Sequence, residues 1–470
     1  MKKKHYLFGS LLLAVFLLTS CNKKTKNNIV KTKPNIIYIL ADDLGYGDLS
    51  SYGQTKFTTP NIDKLAKEGL LFTQHYAGST VCAPSRSALM TGLHTGHTPI
   101  RGNKRLELPK ESLTIAEVLK ENGYKTGAFG KWGLGSANQE GSPMRQGFDA
   151  FYGYLDQRLA HHYYPNHLWE NDQKIILEEN QGLEKGQYAP NLIHKKALTF
   201  IENHKSEPFF LYYPSIIPHA ELFAPVAYLN RFKGKFNPEK SYKGVDDGDL
   251  YKEGRYGSQE NSHAAFVAMI TLLDDQVGEL VQKVKDLGLE ENTIFIFTSD
   301  NGPHKEAGAD PNYFDSNGIL KGVKRDLFEG GIRVPMIAKW KGKIKEGTTT
   351  DHISAFWDVF STFSEITENK KPIQVDGISF LPTLLGENLK QEKHDYLYWE
   401  FHELQGRQAI RKDNWKLVKY NVKTKEKFFL YDLKSDPSES NNLADKQPEK
   451  LKELKEILEN TRTASENFKF

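Results

Sequence analysis

The sequence predicts an α/β fold: a large domain with a mainly parallel central sheet flanked by helices, followed by a smaller C-terminal α+β domain with a short antiparallel sheet. Three observations carry that expectation. Apolar runs ending in polar, chemically capable residues recur along the chain. Helical patterns lie between them, and the pattern shifts near Leu385 to short, closely spaced strands. Near-continuous apolar runs read as strands buried on both faces. Strands alternating with helices imply a parallel sheet covered on both sides.

The runs come in order. Ile36-Ile37-Tyr38-Ile39-Leu40 leads into Asp42-Asp43, and Thr126-Gly127-Ala128-Phe129 into Lys131. Phe209-Phe210-Leu211-Tyr212-Tyr213 leads to His219, and Ile294-Phe295-Ile296-Phe297 into Asp300-Asn301-Gly302. Between them, Pro60–Glu68 reads as a helix closed by Gly69. Thr114–Asn122 opens on a Thr114…Glu117 capping box and closes at Gly123. Asn261–Leu287 is long and amphipathic, with Ile270, Leu273, Val277, Leu280, Val284 and Leu287 at helical spacing. Ligands of such sheets bind beyond the carboxyl ends of the strands, where all four polar clusters fall. Past Leu385, segments 394–399, 407–420 and 427–433 read as short antiparallel strands. Pro448–Thr461 reads as an amphipathic helix. The expected division is residues 34–385 for the main domain and 386–470 for the smaller one.

The N-terminus reads as a processing segment. Met1–His5 carries three lysines, and Tyr6–Leu18 is apolar but too short to span a membrane. Leu18-Thr19-Ser20-Cys21 resembles the bacterial lipobox, which implies a signal peptide over 1–21 and a lipidated Cys21. Residues 22–33 are polar and lysine-rich, as in a tether. The expected protein is exported and held in the bacterial envelope by its lipid alone. Asn22-Lys23-Lys24 has no acidic residue, so the outer membrane facing the periplasm is the expected location. Only two cysteines exist, Cys21 and Cys82, and no disulfide is expected. Lys+Arg is 63 against Asp+Glu 60, which lacks the basic excess of a nucleic-acid binder.

Asp42-Asp43 and Asp300-Asn301 end separate predicted strands. Adjacent carboxylates repel unless a cation sits between them, and hard oxygen ligands suit Ca²⁺ or Mg²⁺. Asp and Asn are also ordinary turn residues, so the acids alone leave both readings open. Around Cys82, Pro84 suits a first helical turn and Gly92 a helix end. That places Cys82 at a helix N-terminus, which favours an anion, with Arg86 one turn on.

Cys82-Ala83-Pro84-Ser85-Arg86 resembles the Cys-x-Pro-Ser-Arg signature of the type I sulfatases, the arylsulfatase family. Other matches run from Pro34 nearly to the end. Asn35–Gly47 resembles the first metal motif, and Gly130-Lys131-Trp132-Gly133-Leu134-Gly135 the Gly-Lys-Trp-His-Leu-Gly motif. Pro218-His219 resembles a Pro-His motif, and Thr298–Gly302 the second metal motif. Lys324 with Glu329–Pro335 resembles a signature near the end of the main domain, and Leu430–Leu433 part of the closing motif.

The resemblance implies an alkaline-phosphatase-like fold and hydrolysis of sulfate esters on carbohydrate. It implies that a maturing enzyme converts Cys82 to formylglycine, whose hydrate attacks sulfur. Asp42, Asp43, Cys82, Asp300 and Asn301 would hold one Ca²⁺, with Mg²⁺ the less favoured ion. Arg86 would steady the hydrate, Lys131 and Lys324 would hold sulfate oxygens, and His219 would protonate the leaving alcohol. Gly133 stands where the family usually has histidine. His94 or His97 is the expected substitute, a structural role being the other reading. Gln157–Pro165 includes Arg158 and His161 and resembles a loop of sulfatases acting on galactose-type sugars. His97, Arg158 and His161 are therefore expected to bind substrate, from sulfated algal or host glycans. A phosphate or phosphonate monoester hydrolase, and an inactive glycan-binding lipoprotein, are the rival readings.

Overall fold

The computed structural model describes Met1 and residues 33–470. Apart from Met1, the expected signal peptide, Cys21 and the tether up to residue 32 lie outside the described residues. Among the described residues no helix is long and apolar enough to cross a membrane. Residues Lys33–Phe470 form one compact unit.

Its large sheet has eleven strands. They are β1 (Asn35–Ala41), β2 (Leu70–Tyr76), β3 (Lys125–Lys131), β4 (Ala150–Tyr154), β5 (His167–Glu170), β6 (Gln173–Ile176), β7 (Phe209–Pro214), β8 (Thr293–Ser299), β9 (Arg333–Trp340), β10 (Thr348–Thr350) and β11 (Ser354–Ala355). The order is β10-β2-β9-β8-β1-β7-β3-β4-β5-β6, with β11 beside β2. The central strands β8, β1, β7, β3 and β4 run parallel. β9 is antiparallel to both β8 and β2, and β5 and β6 finish the far edge antiparallel.

The continuous apolar runs have a simple cause. Successive side chains of a strand point to opposite faces. In β1, Ile37, Ile39 and Ala41 enter one core, while Ile36, Tyr38 and Leu40 enter the other. β7 and β8 divide the same way: Leu211 and Phe297 lie in the first core, Tyr212 and Ile296 in the second. The helix Ser262–Asp286 covers the first core through Ala268, Leu273 and Val277. The helices Ile115–Glu121 and Phe356–Ile366 cover the second. Thr114 caps its helix with the expected reciprocal box to Glu117.

A separate antiparallel sheet consists of β12 (Leu397–Phe401), β13 (Arg407–Lys412), β14 (Trp415–Tyr420) and β15 (Lys427–Asp432), in that order. The segment 407–420 is thus a hairpin, not a single strand. Lys412 pairs with Trp415 across a two-residue turn in which Asp413 takes φ 53. Asp and Asn tolerate that left-handed conformation, so Asp413-Asn414 was the available turn signal. One face of this sheet packs Ile410, Leu417 and Leu430 on the helix Pro448–Asn460. Its other face packs Trp399, Val418 and Tyr431 with Tyr76, Val81 and Ala88 of the main domain.

Candidate active site

Four parallel neighbours deliver the site. Asp42 and Asp43 follow β1, Lys131 ends β3, His219 follows β7, and Asp300 and Asn301 follow β8. Because β8, β1, β7 and β3 are adjacent and parallel, their carboxyl ends open on one side of the sheet. The helix Cys82–Thr91 stands against that side. Val81 precedes it in extended conformation, Gly92 ends it at φ 69, and all its residues are buried. Gly92 is required there twice over: the conformation is left-handed, and a Cβ would lie 2.8 Å from Val375.

The Cys82 thiol donates to Asp42 Oδ1 at 3.2 Å. Lys131 Nζ donates to Asp42 Oδ2 at 2.7 Å, and Lys324 Nζ to Asp43 Oδ2 at 2.7 Å. Arg86 donates from Nη2 to Asp42 Oδ2 at 3.2 Å and to Asp300 Oδ2 at 2.9 Å, with Nε also on Asp300 at 3.1 Å. A further Arg86 N–H meets the Lys131 carbonyl. The Asp43 amide donates to Asp300 Oδ1 at 3.1 Å, and Asn301 Nδ2 to Asp43 Oδ1 at 2.6 Å. The His219 Nε2 atom lies 3.4 Å from Asp43 Oδ2. The structure therefore brings Asp42, Asp43, Cys82, Arg86, Lys131, His219, Asp300, Asn301 and Lys324 into one cluster.

Electrostatics in this cluster are strained by burial. Asp42, Asp43 and Asp300 are fully buried. Burial opposes the charge on Asp42, but the Lys131 ammonium and the Arg86 guanidinium outweigh it and hold the carboxyl well below its ordinary range. Burial and then the Asp42 charge push Asp300 up to about 6. Two buried carboxylates sharing one guanidinium cannot both ionise freely, which is the situation a divalent cation relieves. Burial, then Asp300 and Asp42, drive the Cys82 thiol well above its ordinary value, so the unmodified sulfur stays protonated. Burial works against the Lys324 charge, yet Asp43 raises the ammonium well above the ordinary lysine value.

The same residues fit a metal. One ligand atom each from Asp42, Asp43, Cys82 and His219 lie within 4.8 Å of one another. Asn301 Oδ1 is buried without a hydrogen-bond partner. An orphaned carbonyl oxygen beside three buried carboxylates is costly unless it ligates something. The donors are mostly oxygen, which suits a hard cation.

Above the cluster lies a cavity of about 580 Å³ whose wall includes Cys82, Gly133, Gln157, Arg158, His161 and Tyr256. His161 Nδ1 donates to the Gly254 carbonyl at 2.7 Å, and its ring stacks 5.2 Å from that of His219. Burial pushes His161 down to about 4, so the ring is neutral at pH 7 and presents Nε2 as an acceptor. Arg158 and His161 thus line the cavity as expected, but the structure does not bring His97 to it. His97 Nδ1 pairs with Asp376 at 2.9 Å and stacks on His94 at 4.2 Å. His94 packs against Trp357 and Tyr398. Neither histidine lines the cavity, so neither stands in for a side chain at position 133. The reason is local: Gly92 turns the chain out of the helix, and Asp376 holds the 94–97 turn by the His94 amide at 2.9 Å.

What fills the space at Gly133 is Gln157. A Cβ at Gly133 would lie 2.1 Å from Gln157 Nε2, and Gly133 takes φ 77. Gly133→Ala is expected to cost roughly 1 kcal/mol through the left-handed backbone, plus the displacement of Gln157. Thermal denaturation checks this: in a Gln157→Ala background the collision disappears and the loss shrinks to the backbone part.

Sequence reasoning missed Tyr256, Glu306 and Arg325. Glu306 Oε1 pairs with Arg325 Nη2 at 2.5 Å, and burial is outweighed by Lys324 and His304, which hold its carboxyl at about 2. His304, two residues upstream, stacks on His219 with ring centres 5.8 Å apart. Pro303-His304 directly after Asp300-Asn301-Gly302 was the available signal. Arg325 directly follows Lys324, which was its signal, whereas Tyr256 carries none because a long chain segment brings it in.

Fold and site define a hydrolase of the alkaline-phosphatase-like superfamily. The sulfatase family model matches residues 34–369, and that of the N-sulphoglucosamine sulphohydrolase C-terminal region matches residues 322–464. The chain belongs to the sulfatase family and is a sulfuric ester hydrolase of type I. It is 32% identical to N-acetylgalactosamine-6-O-sulfatase of Bacteroides thetaiotaomicron, covering 96% of this chain and 98% of that one. It is 33% identical to arylsulfatase A of Bos taurus, over 90% of this chain and 87% of the relative. The crystal structure of Ps i-CgsB in complex with k-i-k-neocarrahexaose superposes with a TM-score of 0.75 at 27% identity, covering 91% of this chain and 92% of that one.

Proposed function

We propose that the protein removes sulfate ester groups from carbohydrate, with Cys82 converted to formylglycine and one Ca²⁺ held by Asp42, Asp43, Asp300, Asn301 and the converted residue. The observation that carries this reading is the orphaned Asn301 Oδ1 among three buried carboxylates beside Cys82. Bound Ca²⁺ supplies Lewis acidity that offsets the charge of a sulfate oxygen. The conversion supplies an oxygen nucleophile where the thiol is poor.

The remaining work falls to this chain's own residues. Arg86 fixes Asp42 and Asp300 in one orientation. Lys324 lines the cavity and Lys131 is fixed on Asp42 in the same cluster, and these two ammonium groups hold sulfate oxygens; fixed electrostatics of this kind is usually the largest catalytic contribution. His219 donates its Nδ1 proton to the Ala220 carbonyl, which points Nε2 towards the Asp43 side. Burial and then Lys324 keep the ring well below its ordinary value, so it is neutral at rest. Lys324 is the standing N–H donor beside it, and the pair serves the leaving oxygen. Proton donation there is worth about 10²–10⁴-fold. His161 Nε2 accepts from a sugar hydroxyl, and Arg158 at the rim meets an anionic or polar group of the glycan. The relatives' carbohydrate substrates support that class. The protein is exported and lipid-anchored at Cys21, facing the periplasm; labelled palmitate incorporated by the wild type and lost in Cys21→Ala tests this.

Two measurements test the reaction. Matched sulfate and phosphate esters are expected to show preference for sulfate, and a preference for phosphate contradicts the reading. Chelation of the matured enzyme is expected to lower activity at least about 100-fold and lower the melting temperature, both restored by Ca²⁺. Unchanged activity after verified metal removal contradicts the assigned ligand set.

A further inference from the structure

The active-site cavity does not end at the sugar loop. It shares Asn103 and Lys104 with a second cavity of about 250 Å³. Three distant parts of the chain build this second wall: residues 102–104, His402 and Glu403 with Lys423, and the segment Glu466–Lys469. They are locked together. Arg101 donates to Glu400 at 3.2 Å and to the Thr463 carbonyl at 2.9 Å. Arg462 donates to Glu400 at 2.8 Å and to the Phe468 carbonyl at 3.0 Å. A wall fixed by buried ion pairs is already in its binding shape.

Its lysines Lys104 and Lys423 are exposed. Lys423 Nζ donates to the His402 carbonyl at 2.8 Å. Lys104 Nζ donates to the Asn467 carbonyl and stands 5.2 Å from the Phe468 ring centre. Among the described residues neither ammonium has a carboxylate within ion-pair distance. A lysine has three N–H donors, so each keeps donors and an uncompensated charge for a ligand. Lys469 adds a third ammonium, against two carboxylates, Glu403 and Glu466, which suit sugar hydroxyls.

We propose that this second cavity is a subsite for an anionic substituent, a sulfate or a carboxylate, on the sugar next to the one desulfated, with Lys104 and Lys423 as its ligands. The substrate is then an acidic oligosaccharide of at least two residues. The proposal rests on the reading of the main cavity as a glycan site. It concerns recognition and involves no further chemical step.

The test is binding, measured by calorimetry on the full-length Cys82→Ala protein. The probes are size-defined carrageenan oligosaccharides, with sulfated neighbours, and chondroitin 6-sulfate oligosaccharides, with uronate neighbours. Lys423→Ala is expected to weaken at least one of them about tenfold, the effect of one charge-assisted hydrogen bond. The probe affected distinguishes sulfate from carboxylate. Lys425→Ala, on the same hairpin but outside the cavity, is expected to change neither, and thermal denaturation confirms that both variants fold. Binding that is absent for both probes, unchanged by Lys423→Ala, or equally weakened by Lys425→Ala overturns the proposal. Failure of the wild type to hydrolyse any sulfate ester would sink the hydrolytic reading separately, because the binding result does not depend on turnover.

Discussion

Cys82→Ala is expected to abolish sulfate ester hydrolysis, by about 10⁴-fold or more, the scale on which removal of a nucleophile acts. The cause is chemical, not structural. Cys82 is 2% exposed at the start of a fully buried helix, and the substitution removes only one sulfur atom. The expected loss of stability is about 1 kcal/mol. The thiol is held protonated by burial and by Asp300 and Asp42, so the unconverted wild type should be as inactive as the alanine variant. Initial rates on an aryl sulfate, with and without a co-expressed maturing enzyme, check both statements. Activity in wild type that retains its thiol contradicts them.

Arg86→Ala is expected to be the most destabilising substitution in the site. The side chain is fully buried and joins Asp42 to Asp300. Its removal leaves two buried carboxylates facing each other, and breaking such a pair costs about 3–5 kcal/mol. Lysine keeps the charge but not the planar fork, so Arg86→Lys should recover only part of the loss. The proposed Ca²⁺ should reduce the penalty, because it would compensate the same carboxylates. Denaturant unfolding of both variants with and without Ca²⁺ measures this; a loss below about 1 kcal/mol in Ca²⁺-free buffer contradicts it.

Much of this site was legible because each part obeys a local rule. Asp42-Asp43 and Asp300-Asn301 announced themselves by ending apolar runs, and Pro84 and Gly92 framed the Cys82 helix. That the two acid pairs converge was not local information. It depends on β8 lying beside β1, a pairing between residues far apart in sequence, and came only with the family resemblance. Where the resemblance was thin, expectation failed. His97 lies near Cys82 in sequence, but the left-handed turn at Gly92 carries it to Asp376 instead. Gln157 was passed over beside Arg158 and His161 because nothing in its own neighbourhood says it fills the space at Gly133. The antiparallel β9 was likewise invisible, since a strand buried on both faces reads alike in either direction.

The most direct test of the account is mass spectrometry of the peptide containing position 82, taken from active protein made in its native host. The expected peptide has the mass of an aldehyde in place of the thiol, in a fraction that tracks specific activity. A fully active preparation whose peptide carries only intact cysteine would contradict that expectation.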